Sequence, residues 1–182
     1  MGATRQETGE FTILGIDPGL NTTGYGAIAA GSGPPRLLEA GIIEGGKASL
    51  PLAVRLRTIF DAAMSTLDEL SPEAMAMEQL YTHYAHPQTA VLMGHVRGVL
   101  CLAAGLKEIP VADYPATEVK SSLTGNGHAP KDQVRRAVAQ ILKLTALEGP
   151  ADVSDALAVA ICHASRVARQ GSPRARKAAV PE

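Results

Sequence analysis

The chain has 182 residues, of which 46% are hydrophobic and 19% are charged, and its net charge is −1. This length and apolar content predict a globular protein with a buried core and exclude a disordered chain. The longest uninterrupted apolar runs are far shorter than the ~20 residues of a membrane-spanning helix, and the N-terminus is polar. We therefore expect a cytoplasmic protein with no membrane partner.

The charges are unevenly distributed along the chain. Residues 1–100 carry ten acids and six bases, whereas residues 101–182 carry eight acids and eleven bases. Solvated faces and a charged tail would account for this asymmetry, and so would a local phosphate-binding surface. The two cysteines, Cys101 and Cys162, lie in apolar helical patterns, which predicts packed thiols rather than a disulfide or a metal pair.

The first part of the chain predicts three strands and one helix. Residues 12–17 form an apolar strand, and "TGYGAIAAG" and "RLLEAGIIEG" follow as two more, separated by a Gly-Pro turn at 31–35. Apolar residues then recur at helical spacing from Pro51 to Leu70, and Ser71-Pro72 ends that helix.

The second part predicts two strands and four helices. The segment "EAMAMEQL" gives a short strand that ends at Glu78, and a long helix runs from about Pro87 to Gly105 before the strand "IPVADY". Helices start near Pro115 and Lys131, and a final helix spans Asp152 to about Arg169. This order predicts an α/β fold, in which an antiparallel meander extended by parallel strands forms a mixed five-stranded sheet flanked by helices.

A single domain is predicted over residues 11–169. The tail "QGSPRARKAAVPE" has no apolar pattern that could join a core, and the first residues are polar as well. We therefore expect disordered termini at 1–10 and 170–182. The sequence assigns no role to the basic residues of the tail.

Four carboxylates lie at the ends of predicted elements. Asp17 ends the first strand in "TILGIDPGLNTTGYGAI", Glu78 ends the fourth, and Asp152 and Asp155 share one face at the start of the last helix. Functional groups gather at the carboxyl ends of strands, so Asp17 and Glu78 converge if their strands are neighbours. Anions held together away from water repel one another, and a divalent cation removes that repulsion. Ligands that are oxygen alone indicate Mg²⁺ or Mn²⁺ rather than zinc.

Each carboxylate taken alone also has a purely structural explanation. Asp17 suits a turn before Pro-Gly, Glu78 suits an exposed strand end, and Asp152 with Asp155 suits a helix cap. Taken together, at three element ends beside apolar core, they favour a metal site. Two ions held ~3.5–4 Å apart can hydrolyse a phosphodiester, so a nuclease beside a basic patch is the predicted chemistry.

Four motifs occur in order between Ile13 and His163: "ILGIDPG…TGYG", "AMEQLY", "EVKSSLTGNGHAPKDQV" and "ADVSDALAVAICHA". On these motifs the chain resembles RuvC, the family of bacterial Holliday-junction resolvases. The resemblance implies a ribonuclease-H-like fold, a homodimer, and paired symmetric nicking of a four-way DNA junction. It also implies two Mg²⁺ per subunit, for which Mn²⁺ can substitute, and 5′-phosphate and 3′-hydroxyl ends.

The resemblance assigns site residues by position. The catalytic and metal-binding residues are Asp17, Glu78, Asp152 and Asp155. The DNA-binding residues are Tyr81, Lys120 and Lys131, to which the basic cluster from Lys120 to Lys143 adds Arg135. The lysines match residues that face the scissile phosphate or its neighbours, and Tyr81 matches an aromatic near the junction centre that could stack on an unpaired base.

The long helix bears on assembly. From Ala90 to Leu106 it is apolar around most of its circumference, so it must be buried in a core or against a partner. Gly94 and Gly98 would let a second helix approach closely. The residues leave both explanations open, and the resemblance favours a dimer helix, which would place two sites against two opposed strands. The sequence also leaves open whether a branch-migration helicase complex binds.

Three other functions fit parts of the sequence. An actin-like ATPase or kinase shares the first motif but needs a second such domain, and a non-catalytic DNA-binding or scaffold protein has no need of repelling carboxylates. A related ribonuclease-H-like nuclease that acts on another branched DNA or on an RNA–DNA hybrid is the main alternative, because only the dimer helix and Tyr81 separate it from a resolvase. The segment 82–97 departs from the family pattern, so no cleavage preference is predicted.

Overall fold

The computed structural model describes residues 9–79 and 87–170, and this part of the chain contains five strands and five helices. The strands are β1 (Phe11–Asp17), β2 (Thr22–Ala30), β3 (Arg36–Glu44), β4 (Ala74–Glu78) and β5 (Val111–Tyr114). The helices are α1 (Leu52–Leu70), α2 (Pro87–Leu106), α3 (Ala116–Thr124), α4 (Lys131–Ile141) and α5 (Ala151–Gln170). Every predicted element is present, and its bounds differ from the prediction by no more than about two residues, as is usual for helix and strand ends.

The strands form one sheet in the order β3-β2-β1-β4-β5. The pairs β1–β2 and β2–β3 are antiparallel, and the pairs β1–β4 and β4–β5 are parallel. The predicted mixed five-stranded sheet is therefore confirmed. Because β1 and β4 are parallel neighbours, their carboxyl ends lie side by side.

Side chains on each strand alternate between the two faces of the sheet. Ile13 and Ala76 belong to the core between the sheet and the helices α3, α4 and α5, whereas Leu14 and Met75 belong to the core beneath α1 and α2. Residues an even number of positions apart share a face, so the ends of β1 and β4 direct their last side chains toward α5 rather than toward α1.

Helix α5 lies very close to β1 and β2 because glycines lie beneath it, and Gly15 and Gly24 face its backbone most closely. A methyl group at Gly15 would lie 2.0 Å from the carbonyl oxygen of Ala156, and one at Gly24 would lie 2.1 Å from the carbonyl oxygen of Asp152. No real side chain tolerates such distances, so only glycine allows this close packing. The two glycines therefore set the height of the first turns of α5 above the sheet.

Helix α2 is partly core and partly an uncovered apolar surface. Val96, Leu100 and Ala103 are buried, whereas Val91 and Leu102 are exposed. Over Gln88–Leu106 the mean hydropathy is 1.6, so by length and composition alone this helix could span a membrane, and 22% of its most apolar window is buried within the fold. The length of uninterrupted apolar runs does not identify this helix, because His95 and Arg97 interrupt the run. The mean hydropathy over the whole window nevertheless stays high.

The predicted domain limits stay a prediction. Helix α5 continues through Gln170, one residue past the predicted end. Residues 1–8 and 171–182, which make up most of the predicted disordered termini, lie outside the described residues.

Candidate active site

A cleft of about 220 Å³ opens where β1 and β4 end. Its charged lining consists of Asp17, Glu78, Lys120, Lys131 and Asp155. The parallel register pairs Ile16 with Met77, the residues that directly precede Asp17 and Glu78. These two carboxylates therefore converge, as the order of the strands predicts, while their catalytic role stays a prediction.

Helix α5 brings the other two carboxylates to the same place. Gly24 is the ladder partner of Asp17, and the backbone of Asp152 lies directly over Gly24. Asp155, three residues further along the helix, lines the cleft. The helix start is thus positioned by a backbone contact beside Asp17 and does not depend on long, flexible side chains.

The electrostatics show how crowded this site is with negative charge. The pKa of Asp17 is raised to about 7, first by burial and then by repulsion from Asp155, Glu78 and Asp152, while Lys131 lowers it. Burial also raises the pKa of Glu78, with repulsion from Asp155 as the next cause. The two carboxylates lose hydration and repel their neighbours, so both would gain from a bound cation.

Lys131 supplies the nearest positive charge in the cleft. Its Nζ donates a hydrogen bond to Oδ2 of Asp155 at 2.9 Å. This bond and the charge of Asp155 raise the pKa of Lys131, so its ammonium stays charged at neutral pH. The Lys131 side chain is 75% exposed and that of Asp155 is 25% exposed. The lysine therefore reaches inward from the solvent side of the cleft.

The donor chemistry of this cleft fits a hard divalent cation. Carboxylate oxygens are the ligands that Mg²⁺ and Mn²⁺ prefer, and the repulsion around Asp17 is what such a cation relieves. Within residues 9–79 and 87–170, no group of three or more His, Cys, Asp or Glu side chains is arranged to hold a metal ion. Asp155 is instead paired with Lys131. The predicted metal ligands are thus brought together by the fold, and their coordination of metal stays a prediction.

The predicted DNA-binding residues lie in different surroundings where the structure describes them. Lys120 and Lys131 both line the cleft. The guanidinium of Arg135 donates to the carbonyl oxygens of Leu147 and Gly149, so it braces the loop that leads into α5. Tyr81 lies outside the described residues.

Two glycines of the predicted dimer helix face open space. Apart from the neighbouring backbone of α2 itself, a methyl group at Gly94 or Gly98 would meet no atom of the described chain within 4 Å. Both glycines therefore lie where a second helix has room to approach, and their part in a dimer stays a prediction.

Two arginines that hold the site were missed by sequence reasoning. The buried guanidinium of Arg55 donates to Leu20 O and to Asn21 Oδ1, both at 2.8 Å, which fixes the turn that follows Asp17. Arg97 on α2 donates from Nη1 to the carbonyl oxygen of Glu78 at 2.7 Å. These residues could have been found as arginines on otherwise apolar helix faces. Such a guanidinium is buried and must donate to nearby acceptors.

The stability of the metal-free protein is expected to depend on Asp17. Its pKa is about 7 in the folded protein against an ordinary value of 3.8, so between these values the folded state binds more protons than the unfolded state. The resulting stabilisation is complete below the ordinary pKa and is lost as pH rises through about 7. One such group changes the free energy of unfolding by at most about 1.4 kcal/mol per pH unit.

Urea denaturation in EDTA at several pH values would measure this effect. The wild-type free energy of unfolding should fall with rising pH relative to that of Asp17→Asn, which cannot titrate at this position. Parallel profiles for the two proteins would contradict the raised pKa.

Comparison with known proteins identifies the family. The family model described as Crossover junction endodeoxyribonuclease RuvC matches residues 13–163. A crossover junction endodeoxyribonuclease RuvC of Rhodopirellula baltica is 49% identical over 151 residues, which cover 82% of this chain and 84% of that protein.

Solved structures agree with this assignment. The Thermus thermophilus RuvC structure superposes with a TM-score of 0.80 at 33% identity and covers 88% of this chain and 97% of its own. The T. thermophilus RuvC in complex with Holliday junction substrate gives a TM-score of 0.82 at 33% identity, covering 89% and 97%. The predicted ribonuclease-H-like fold is therefore confirmed. The chain belongs to the RuvC family of crossover junction endodeoxyribonucleases, and it is a nuclease.

Proposed function

We propose that this nuclease resolves four-way (Holliday) DNA junctions by hydrolysing one phosphodiester on each of two symmetric strands. The observation that carries the proposal is the cleft in which Asp17, Glu78 and Asp155 converge beside Lys120 and Lys131. Carboxylates suit a hard cation and ammonium groups suit phosphate, so the cleft has the groups that phosphodiester hydrolysis requires. The family member solved with a Holliday junction substrate supports the choice of substrate.

The chain's own residues have distinct tasks in this scheme. Lys120 and Lys131 bind phosphate oxygens and orient the scissile strand. Asp17 and Glu78, on neighbouring strand ends, and Asp152 and Asp155, on α5, would hold two Mg²⁺ per subunit, for which Mn²⁺ could substitute. Such a pair of ions, when bound, activates a water and stabilises the leaving oxygen. Cleavage on the 3′-oxygen side of the phosphate leaves 5′-phosphate and 3′-hydroxyl ends.

A homodimer follows from the need to cut two strands. Five of the exposed residues of α2 recur at helical spacing and form a stripe on one side of the helix: Val91, His95, Gly98, Leu102 and Leu106. Apolar side chains with a glycine among them allow close contact between helices. A second copy of the chain would cover this stripe and set two clefts against two strands.

The same helix also bears on the membrane question. One side of α2 is buried against the sheet, and Arg97 in its middle donates to the carbonyl oxygen of Glu78. Both features tie the helix to the soluble fold, so a protein partner explains its exposed side better than lipid does. We accordingly propose a cytoplasmic protein without a membrane partner. Binding of a branch-migration helicase complex stays a prediction, which copurification would test.

Replacing Leu102 with glutamate is expected to break the dimer. Leu102 is 56% exposed in the middle of the stripe, and two glutamates facing each other across a twofold contact would repel in an apolar interface. Analytical ultracentrifugation should find a monomer, and the variant should lose paired nicking. Ile42→Glu is the matched control, since Ile42 is 39% exposed on β3. A dimeric Leu102→Glu variant would contradict this interface.

The substrate is tested by a cleavage assay in Mg²⁺, Mn²⁺ and EDTA. A four-way junction, a linear duplex, a flap and an RNA–DNA hybrid are compared. We expect paired symmetric nicks in the junction alone, no cutting in EDTA, and products that DNA ligase can reseal because they carry 5′-phosphate and 3′-hydroxyl ends. Cutting of the hybrid or the flap instead would indicate a related ribonuclease-H-like nuclease with another substrate. Junction binding without any cutting would leave a DNA-binding protein.

A further inference from the structure

The pairing of Lys131 with Asp155 has a consequence for how the cleft binds its ligands. The ammonium lies 2.9 Å from Oδ2 of Asp155, within the cleft that Asp17 and Glu78 also line. A divalent cation that approached the same carboxylate would be repelled by the positive charge of this ammonium, so each cation weakens the binding of the other to Asp155. The lysine and a divalent cation therefore compete for Asp155.

Two features make the lysine the partner that yields. Its side chain is 75% exposed, and exposed ion pairs contribute little to stability, so little is lost when this pair opens. Asp155 lies on α5, whose first turns are fixed by the glycine contacts beneath them, whereas Lys131 is the first residue of α4 and has a long flexible stem. The carboxylate therefore stays in place while the ammonium can move toward solvent.

We propose that Lys131 is an internal counter-cation of the metal-free site, and that a divalent cation displaces it from Asp155 and thereby releases its ammonium to a DNA phosphate. This inference rests on the proposed function, because it assigns the metal and the phosphate to the same cleft. In the metal-free protein Lys131 neutralises part of the acidic cluster and is withheld from DNA. Once metal is bound, the same ammonium lies beside the cleft and can pair with phosphate.

The displacement couples two binding events. If metal frees a phosphate contact, metal must tighten DNA binding, and by thermodynamic reciprocity DNA must tighten metal binding by the same factor. The nuclease would then assemble its complete site mainly on DNA.

Lys120 offers a matched control. It lines the same cleft, yet in the described part of the chain it forms no ion pair with an acid. Removing either lysine deletes one positive charge beside the carboxylates. Both changes therefore make the electrostatic potential of the cleft more negative and strengthen cation binding. Only Lys131→Met also removes a direct competitor from Asp155.

Metal binding without DNA tests the first half of the proposal. Mn²⁺ is titrated into wild type, Lys131→Met and Lys120→Met, and free Mn²⁺ is measured by electron paramagnetic resonance, with circular dichroism to verify folding. We expect Lys131→Met to bind Mn²⁺ about fivefold more tightly than Lys120→Met. Equal affinities of the two variants would overturn this proposal alone. Absence of Mn²⁺ binding in all three proteins would overturn both the proposal and the metal site of the proposed function.

Junction binding tests the second half. Fluorescence anisotropy with a labelled four-way junction compares EDTA with Ca²⁺, in samples that electrophoresis shows to be uncut. Wild type and Lys120→Met should gain more affinity from Ca²⁺ than Lys131→Met does, because only Lys131 is released by the ion. A gain for Lys131→Met equal to that of Lys120→Met would overturn the coupling, even where the cleavage assay supports the proposed function.

Discussion

Asp17→Asn is expected to abolish junction cleavage while leaving metal-free junction binding intact or tighter. Asp17 has the most central position among the acids, since repulsion from Asp155, Glu78 and Asp152 all contributes to its raised pKa. Asparagine keeps the shape of the side chain but loses the charge that holds a hard cation. Such a cation stabilises the charge of the transition state by several kcal/mol. We expect single-turnover cleavage to fall on the order of 10³-fold or more. Binding measured in EDTA should not suffer, because the change removes a negative charge near phosphate.

An Asp-to-Asn change elsewhere controls for the substitution itself. Asp61 on α1 is exposed, and among the described residues its side chain pairs only with Arg57 one helical turn away, so Asp61→Asn should cleave at the wild-type rate. Metal-free Asp17→Asn should also be at least as stable as wild type at neutral pH, which separates lost chemistry from lost folding. Near-normal cleavage by Asp17→Asn would contradict a mechanism in which the four carboxylates hold the metal ions.

The convergence of Asp17 and Glu78 could be predicted from sequence because it depends on local rules. The alternation of side chains fixes the face on which each residue lies, and a helical crossover between strands makes them parallel. That β1 and β4 are neighbours is not local information, and the structure was needed to show it. The resemblance to the RuvC family supplied the same assignment because four motifs occurred in order.

Other parts of the site depend on contacts that the sequence does not encode locally. The basic residues from Lys120 to Lys143 indicated DNA contacts, and they gave no sign that the guanidinium of Arg135 also donates to the carbonyl oxygens of Leu147 and Gly149. Charge alone cannot show whether an arginine faces a ligand or a loop that needs donors. Likewise, Gly15 and Gly24 lie within the predicted strands, and nothing in the neighbouring sequence shows that they admit α5.

The long apolar helix shows a third kind of limit. Its composition predicts burial all round, and the sequence cannot divide its surface between a core and a partner. The structure makes that division: Val96 and Leu100 are buried in the core, and Val91 and Leu102 are left exposed. The two explanations that the sequence left open, a core and a partner, thus apply to different sides of one helix. The inner side packs in the core, and the outer side is available for the proposed dimer.

Gly24→Ala is expected to slow cleavage on the order of 100-fold without touching any carboxylate. A methyl group here would lie 2.1 Å from the carbonyl oxygen of Asp152 and 2.8 Å from its Cβ, so the start of α5 must move away from Asp17. A displacement of about 1 Å in a catalytic group can cost that factor in rate. Overpacking of this kind also costs about 1–3 kcal/mol of stability, so rates are compared well below the variant's Tm.

Gly33→Ala provides the matched control, because a methyl group at Gly33 would meet no atom of the described chain within 4 Å. It should cleave and unfold like wild type. In Gly24→Ala, Mn²⁺ affinity should fall together with the cleavage rate, since the α5 carboxylates move relative to Asp17 and Glu78, whereas simple destabilisation would leave the affinity of the folded fraction unchanged. A Gly24→Ala protein with normal Mn²⁺ affinity and normal cleavage would show that the height of α5 above the sheet does not position the site, and that the acids on its first turn reach their place by side-chain freedom alone.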